Sequence, residues 1–177
     1  MRIVAGIHGG RRLAVPRGTG TRPTADRARE GLFSSLQSLL DLDGARVLDL
    51  YAGSGALGLE ALSRGAAEAT LVEREQPALA ALRANVTELA VQATVVEADV
   101  AAFLAGPPEP FDLVLLDPPY ELDADPVLAL LVPWLVPGAV VVAERRTRGP
   151  EPTVPAGLEP LWHRRYGEAT LWYFRAA

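Results

Sequence analysis

The chain has 177 residues, 49% hydrophobic and 22% charged, with a net charge of −5, a composition that fits one globular domain able to bury a core without covalent staples. It has no cysteine, which excludes disulfides, thiolate metal sites and a cysteine nucleophile, and its two histidines, His8 and His163, lie too far apart in sequence to suggest a metal site. No apolar run reaches the ~18 residues of a membrane span, and MRIVAGIHGG lacks the apolar stretch of a signal peptide, so a cytoplasmic protein is expected.

Residues 1 to 20 read as a β-hairpin: RIVAGI, a Gly9-Gly10 turn, then RRLAVP. RGTGTRPT follows as a loop rich in turn residues. Thr24 stands where a helix cap is needed for a helix from Asp26 to about Leu40, whose apolar stripe is Leu32, Phe33, Leu36, Leu39 and Leu40. After Gly44 strands and helices alternate. RVLDLYA is a strand and Leu57 to Arg64 a helix closed by Gly65. EATLVER, ATVVEAD and FDLVLLD are strands, separated by helices over Pro77 to Leu89 and Val100 to Leu104. A helix around Pro126 to Leu135 precedes the strand GAVVVAER, and LEPLWHRRYG and ATLWYFRA form a final antiparallel pair across a short turn. Alternation of this kind predicts an α/β fold with a mostly parallel sheet and helices on both faces, extended by the N-terminal hairpin.

Charge is distributed unevenly. Residues 1–30 hold seven arginines against two acids, and the remainder holds ten against twenty. Such asymmetry suggests a basic arm that meets phosphate, attached to an acidic body. Arg11, Arg12, Arg22, Arg27 and Arg29, with Thr24, are the candidate nucleic-acid contacts. Arg27, Arg29 and Glu30 could equally serve to order the arm against the crevice at Asp117-Pro118-Pro119-Tyr120.

DLYAGSGALGLEAL, residues 49–62, sets Gly53-x-Gly55-x-x-Gly58 between a predicted strand and a predicted helix. Glycines there let the chain turn sharply and let a ligand come close to the backbone. Glu73 ends the next strand, where an acid accepts hydrogen bonds from ribose hydroxyls, and Asp99 ends the third. Either a dinucleotide or S-adenosylmethionine fits this pattern. Asp49, four residues before the first glycine, favours the latter: its cationic ammonium and sulfonium suit acidic surroundings, whereas a pyrophosphate does not.

The fourth strand of this series ends in Asp117-Pro118-Pro119-Tyr120. If the sheet winds outward from its centre, that strand neighbours the one before the glycine loop, and both motifs open on one crevice. An exocyclic base amine is a poor nucleophile because its lone pair is delocalised into the ring. The Asp117 carboxylate and the Pro118 carbonyl offer two acceptors for its protons, held in place by prolines that fix φ. Tyr120 offers a surface for stacking on the base. Methylation at pyrimidine C5, which normally uses a cysteine nucleophile, is disfavoured.

These residues resemble the class I S-adenosylmethionine-dependent methyltransferases, which have a Rossmann-like fold with a seven-stranded sheet. The likeness is closer to the RsmD-type bacterial enzymes that make N2-methylguanosine in 16S ribosomal RNA. RIVAGIHGGRRL, RPTADRAREGLF, DLYAGSGALGLEALSRGA and DPPY occur in that family's order, and the stretch at 22–30 is the more specific signal. The resemblance implies cofactor contacts at Asp49, Tyr51, Gly53, Gly55, Glu73, Asp99 and Val100. It implies amine and base contacts at Asp117, Pro118 and Tyr120, with no metal. Tyr51 stands where the family commonly has Phe. The implied partner is 16S rRNA in the 30S subunit or an assembly intermediate, met through a basic arm at 1–30, with residues 31–177 as the S-adenosylmethionine-binding domain; a monomer is expected because no apolar surface stripe is left over.

Three other readings compete. A DNA adenine-N6 or cytosine-N4 methyltransferase, or a protein glutamine methyltransferase, would use the same DPPY chemistry; the chain has little room for the target-recognition insert of the DNA enzymes. A non-catalytic nucleic-acid-binding module would have no need of DPPY. A dinucleotide oxidoreductase would share only the glycine loop.

Overall fold

The structure, a computed structural model, describes residues 1–17 and 23–177, and the backbone alone at 23 and 24. Helix α1 (Pro23–Leu36) precedes strand β1 (Arg46–Leu50). Then follow α2 (Ala56–Ser63), β2 (Glu68–Glu73), α3 (Gln76–Leu89), β3 (Ala93–Glu97), α4 (Val100–Leu104) and β4 (Phe111–Leu116). Helix α5 (Asp125–Leu131) runs into a 3-10 turn (Val132–Trp134), and β5 (Leu135–Arg146), β6 (Leu158–Tyr166) and β7 (Ala169–Ala176) complete the chain. One seven-stranded sheet has the order β3-β2-β1-β4-β5-β7-β6. The pairs among β1 to β5 are parallel, and β7 runs antiparallel to both its neighbours.

Side chains alternate across this sheet, so two cores form. Val47, Leu113, Leu115 and Val142 pack against α1, α2 and α3 through Leu32, Phe33, Leu59 and Leu82. Leu48, Leu50, Val114 and Val141 pack on the other face against α4 and α5 through Val100, Leu104, Leu128 and Leu131. Each such fully buried aliphatic side chain contributes about 1.5–3 kcal/mol. Because β1 and β4 are neighbours in the middle of the sheet, the segments that follow them leave the same end side by side.

Three elements differ from the sequence reading. The N-terminal hairpin shrinks to one antiparallel bridge, Arg2 to Arg12. The backbone donors that a ladder needs are used elsewhere: Val4 and Ala5 N–H donate to the Glu60 carboxylate, and Ile7 and His8 N–H donate to Ser63. The arm is thus bound along the last turn of α2. Gly6, at φ +86°, allows this approach, since a Cβ there would lie 1.8 Å from the Ser63 carbonyl oxygen. Helix α1 begins at Pro23 and ends at Leu36. Thr24 therefore lies inside it and does not cap it; Pro at the first helical position already suits the chain's fixed φ. The helix also straddles residue 30, and Ile3 and Leu13 of the arm belong to the first core. Pro133 breaks α5 early, which lets β5 start at Leu135.

Candidate active site

The carboxyl ends of β1, β2, β3 and β4 surround a crevice of about 550 Å³. Its walls include Tyr51, Glu73, Asp99, Val100, Asp117, Pro118 and Tyr120. Seven residues that the sequence analysis singled out from four separate segments therefore meet in one place. The volume lies within the roughly 300–1,000 Å³ of small-molecule sites.

The glycine loop is built as its spacing implies. Gly53 and Gly55 have φ of +60° and +91°, and Gly55 opens α2. A Cβ on Gly53 would meet nothing within 4 Å, so the loop surface there is open. Gly58 serves packing: a Cβ would sit 2.2 Å from Leu71 Cδ2 and 3.1 Å from Asp49 Oδ2. Tyr51, also at φ +60°, is a strained residue at the crevice wall.

Asp49 sits beneath this loop. It is buried, and its Oδ2 accepts the Gly58 N–H at 2.9 Å, while its Oδ1 is buried with no partner. Burial, reinforced by Glu73, pushes its pKa up to about 7. Glu73 accepts three backbone N–H groups, from Gly53 (2.8 Å), Arg74 (2.9 Å) and Glu75 (2.8 Å). That leaves about one of the roughly four acceptor positions of a carboxylate. Asp99 caps α4 through the Ala102 N–H at 3.2 Å and pairs with Arg74 at 3.3 Å.

Beyond Leu116 the two prolines remove donors and end β4, although the Asp117 N–H still reaches the Leu50 carbonyl at 3.4 Å. The Leu122 N–H donates to the Pro119 carbonyl and closes the turn. Asp117 is exposed to the crevice, yet enclosed by its walls. That enclosure, and the Glu144 carboxylate beside it, hold its pKa well above the usual carboxylate range. Tyr120 is 41% exposed, with the Arg146 guanidinium 4.9 Å from its ring centre.

The proposed nucleic-acid contacts divide. Arg12 and Arg27 are exposed, and Arg11 pairs with Glu88 at 3.3 Å. Arg22 and the Thr24 side chain lie outside the described residues. Arg29 is 6% exposed and faces inward: it donates to the Arg2 carbonyl at 2.6 Å and lies 3.6 Å from Asp26 and 3.9 Å from Glu60. These contacts tie it to the arm backbone and to α2. A smaller cavity of about 170 Å³, bordered by Ala28, Arg29, Leu32, Asp117 and Glu144, separates α1 from the sheet. Two residues escaped the sequence reading: Glu144, beside Asp117, and Arg146, over Tyr120. The run Glu144-Arg145-Arg146 at the end of an otherwise apolar strand was their only signal.

Among the described residues no group of three or more His, Asp or Glu is placed to hold a metal, and no helix is long and apolar enough to cross a membrane. Residues 1–175 match the family described as Conserved hypothetical protein 95. The Escherichia coli K12 ribosomal RNA small subunit methyltransferase D is 42% identical over 160 residues, 88% of this chain and 80% of that protein. Its Haemophilus influenzae namesake is 38% identical over 152 residues, 81% of this chain and 78% of that one. The solved structure of Escherichia coli yhhF has a TM-score of 0.90 at 36% identity, covering 99% of this chain and 97% of that one.

Proposed function

The chain belongs to the Conserved hypothetical protein 95 family, the RsmD-type methyltransferases, and we propose that it methylates the exocyclic N2 amine of a guanine in 16S ribosomal RNA, using S-adenosylmethionine. The observation that carries this reading is the meeting of Asp117, Pro118 and Tyr120 with Glu73 and Asp99 in one crevice.

The crevice suits the cofactor in chemistry as well as size. Its wall carries five carboxylates, Glu73, Glu75, Asp99, Asp117 and Glu144, the glycine loop is open at Gly53, and Asp49 keeps one unpartnered buried oxygen. Gly53 and Gly55 would border it, Glu73 would take a ribose hydroxyl with its remaining acceptor position, and Asp99, Val100 and Tyr51 would line the base end. When bound, S-adenosylmethionine supplies a methyl group on a cationic sulfur, open to attack by an amine. The Asp117 carboxylate and Pro118 carbonyl each accept a hydrogen bond from one N2–H, drawing the amine towards a tetrahedral geometry. Rigid backbone at the prolines sets these acceptors before the base arrives. The proton that N2 sheds on methylation passes to Asp117, whose raised proton affinity suits it to receive one. Tyr120 holds the base plane, with Arg146 behind its ring.

The basic arm meets RNA through Arg11, Arg12, Arg22 and Arg27, and α1 carries the chain across residue 30 into the methyltransferase domain. The enzyme acts in the cytoplasm as a monomer, on the small subunit or an assembly intermediate. The test is transfer of labelled methyl to 30S particles lacking the modification, with naked 16S RNA and DNA in parallel and nucleoside analysis of the product. N2-methylguanosine from particles is expected; label in DNA, in protein, or nowhere refutes the reading.

A further inference from the structure

We propose that Glu144 reads the ring N1–H of the target guanine while Asp117 holds the neighbouring N2 amine, so that selection of guanine belongs to this carboxylate pair and not to DPPY alone. The inference rests on the guanine-N2 reading above.

The pair is a product of the sheet. β4 and β5 run in register with Leu116 opposite Ala143, and the residues that follow these two in the chain are Asp117 and Glu144. Both side chains border the large crevice and the smaller cavity against α1. They stand between the two spaces, at the place where the amine must be presented.

Among the described residues no guanidinium lies within ion-pair distance of either group. Arg145 is turned to Asp125 at 3.1 Å, Arg146 lies over the Tyr120 ring, and Arg29 is held by Arg2, Asp26 and Glu60. Two adjoining carboxylates without cations are costly unless donors reach them. The upward shift of Asp117, from its enclosure by the crevice walls and from Glu144, accords with that shortage.

Guanine supplies the donors. Its N1–H lies beside its 2-amine, so one edge presents three N–H bonds to two carboxyl groups. Adenine and cytosine place a ring lone pair next to their amines, which a carboxylate repels. A second acid beside the DPPY aspartate thus attracts one base and rejects the other two amino bases.

2-Aminopurine separates this role from simple support of Asp117, because it keeps the 2-amine and replaces N1–H by a lone pair. Small-subunit particles are reconstituted with rRNA carrying guanine or 2-aminopurine at the position the wild-type enzyme methylates. Wild-type kcat/KM is expected to favour guanine by about 100-fold or more, as in sites built to pair a substrate N–H. Glu144→Gln, whose amide donates to the lone pair, is expected to narrow that ratio by about tenfold or more while binding S-adenosylmethionine with unchanged affinity. Equal use of both bases by the wild type overturns the inference whatever the variant does. So does an unchanged ratio in Glu144→Gln, or loss of its cofactor binding. In each of these cases N2-methylguanosine from the wild type leaves the function standing; its absence overturns both.

Discussion

Glu60 is fully buried in α2, and its carboxylate joins the arm to the domain. It accepts Val4 N–H at 2.8 Å, Ala5 N–H at 3.1 Å and Arg64 Nε–H at 2.9 Å, with Arg29 Nε at 3.9 Å. Glu60→Ala strands the three bonded donors and removes the acid nearest Arg29 Nε. Breaking a buried ion pair by removing one partner costs about 3–5 kcal/mol, and orphaned backbone donors cost about 1–3 kcal/mol each. The losses overlap, because the arm can lift away and solvate its own N–H groups, so about 4 kcal/mol is the expected total. With a urea slope of roughly 2 kcal/mol per molar, the unfolding midpoint falls by about 2 M. Glu60→Gln keeps one carbonyl acceptor and is expected to lose about half as much. Circular dichroism in urea measures both variants. Methyl transfer to particles should fall further than cofactor affinity, since no residue of the arm lines the large crevice. A Glu60→Ala midpoint within about 0.3 M of wild type would show that the arm is held by its apolar contacts, Ile3 and Leu13, and that the carboxylate network is incidental.

Other outcomes follow from the same geometry. Asp117→Ala should bind S-adenosylmethionine normally and lose about 10²–10⁴-fold in transfer rate; equal loss of binding, seen by calorimetry, would make Asp117 a support of the cofactor site. Gly58→Ala drives a Cβ to 2.2 Å from Leu71 Cδ2, an overpacking worth about 1–3 kcal/mol, and thermal melting should show it together with weaker cofactor binding; an unshifted melt would mean that Leu71 yields freely. Asp49, with its pKa raised to about 7, keeps a proton in the folded state that the unfolded chain has released. Its contribution to stability is therefore full at low pH and declines as pH rises towards 7, by about 1.4 kcal/mol per unit. Asp49→Asn, which never ionises, should gain stability relative to wild type between pH 5 and pH 7; parallel pH curves for the two proteins would contradict a buried, protonated Asp49.

Much of the site was legible because its signals are local. A glycine loop after a strand, an acid at the end of the next strand and DPPY at the end of the fourth each announce themselves within a few residues. The alternating pattern then brings them together at one end of a parallel sheet. What stayed hidden depended on partners distant in sequence. RIVAGI has the composition of a strand, but Glu60 and Ser63 compete for its backbone donors. Arg29 looks like a phosphate contact in a basic stretch, yet a buried acid 31 positions later turns it inward. Glu144 is an unremarked acid in the linear sequence until the β4–β5 register sets it beside Asp117. Local pattern reports propensity; it does not report which distant group will claim a donor or a charge.

The placement of β7 between β5 and β6 bears on how the chain assembles. Strands β2 to β5 each pair with a strand already made. β6 does not: it pairs only with β7, which is synthesised after it. A nascent chain that has reached Tyr166 therefore carries an unpaired β6 and an open β5 edge at once, the state most exposed to wrong strand addition. Arg164, Arg165 and the irregularity between Pro160 and Trp162 make β6 a poor template in that interval. When β7 arrives it closes both edges in one step, joining Val140 to Arg146 on one side and Leu158 to Tyr166 on the other. A truncation before Ala169 should accordingly remove two strands from the sheet, not one, and bare the flank of the strand that carries Glu144.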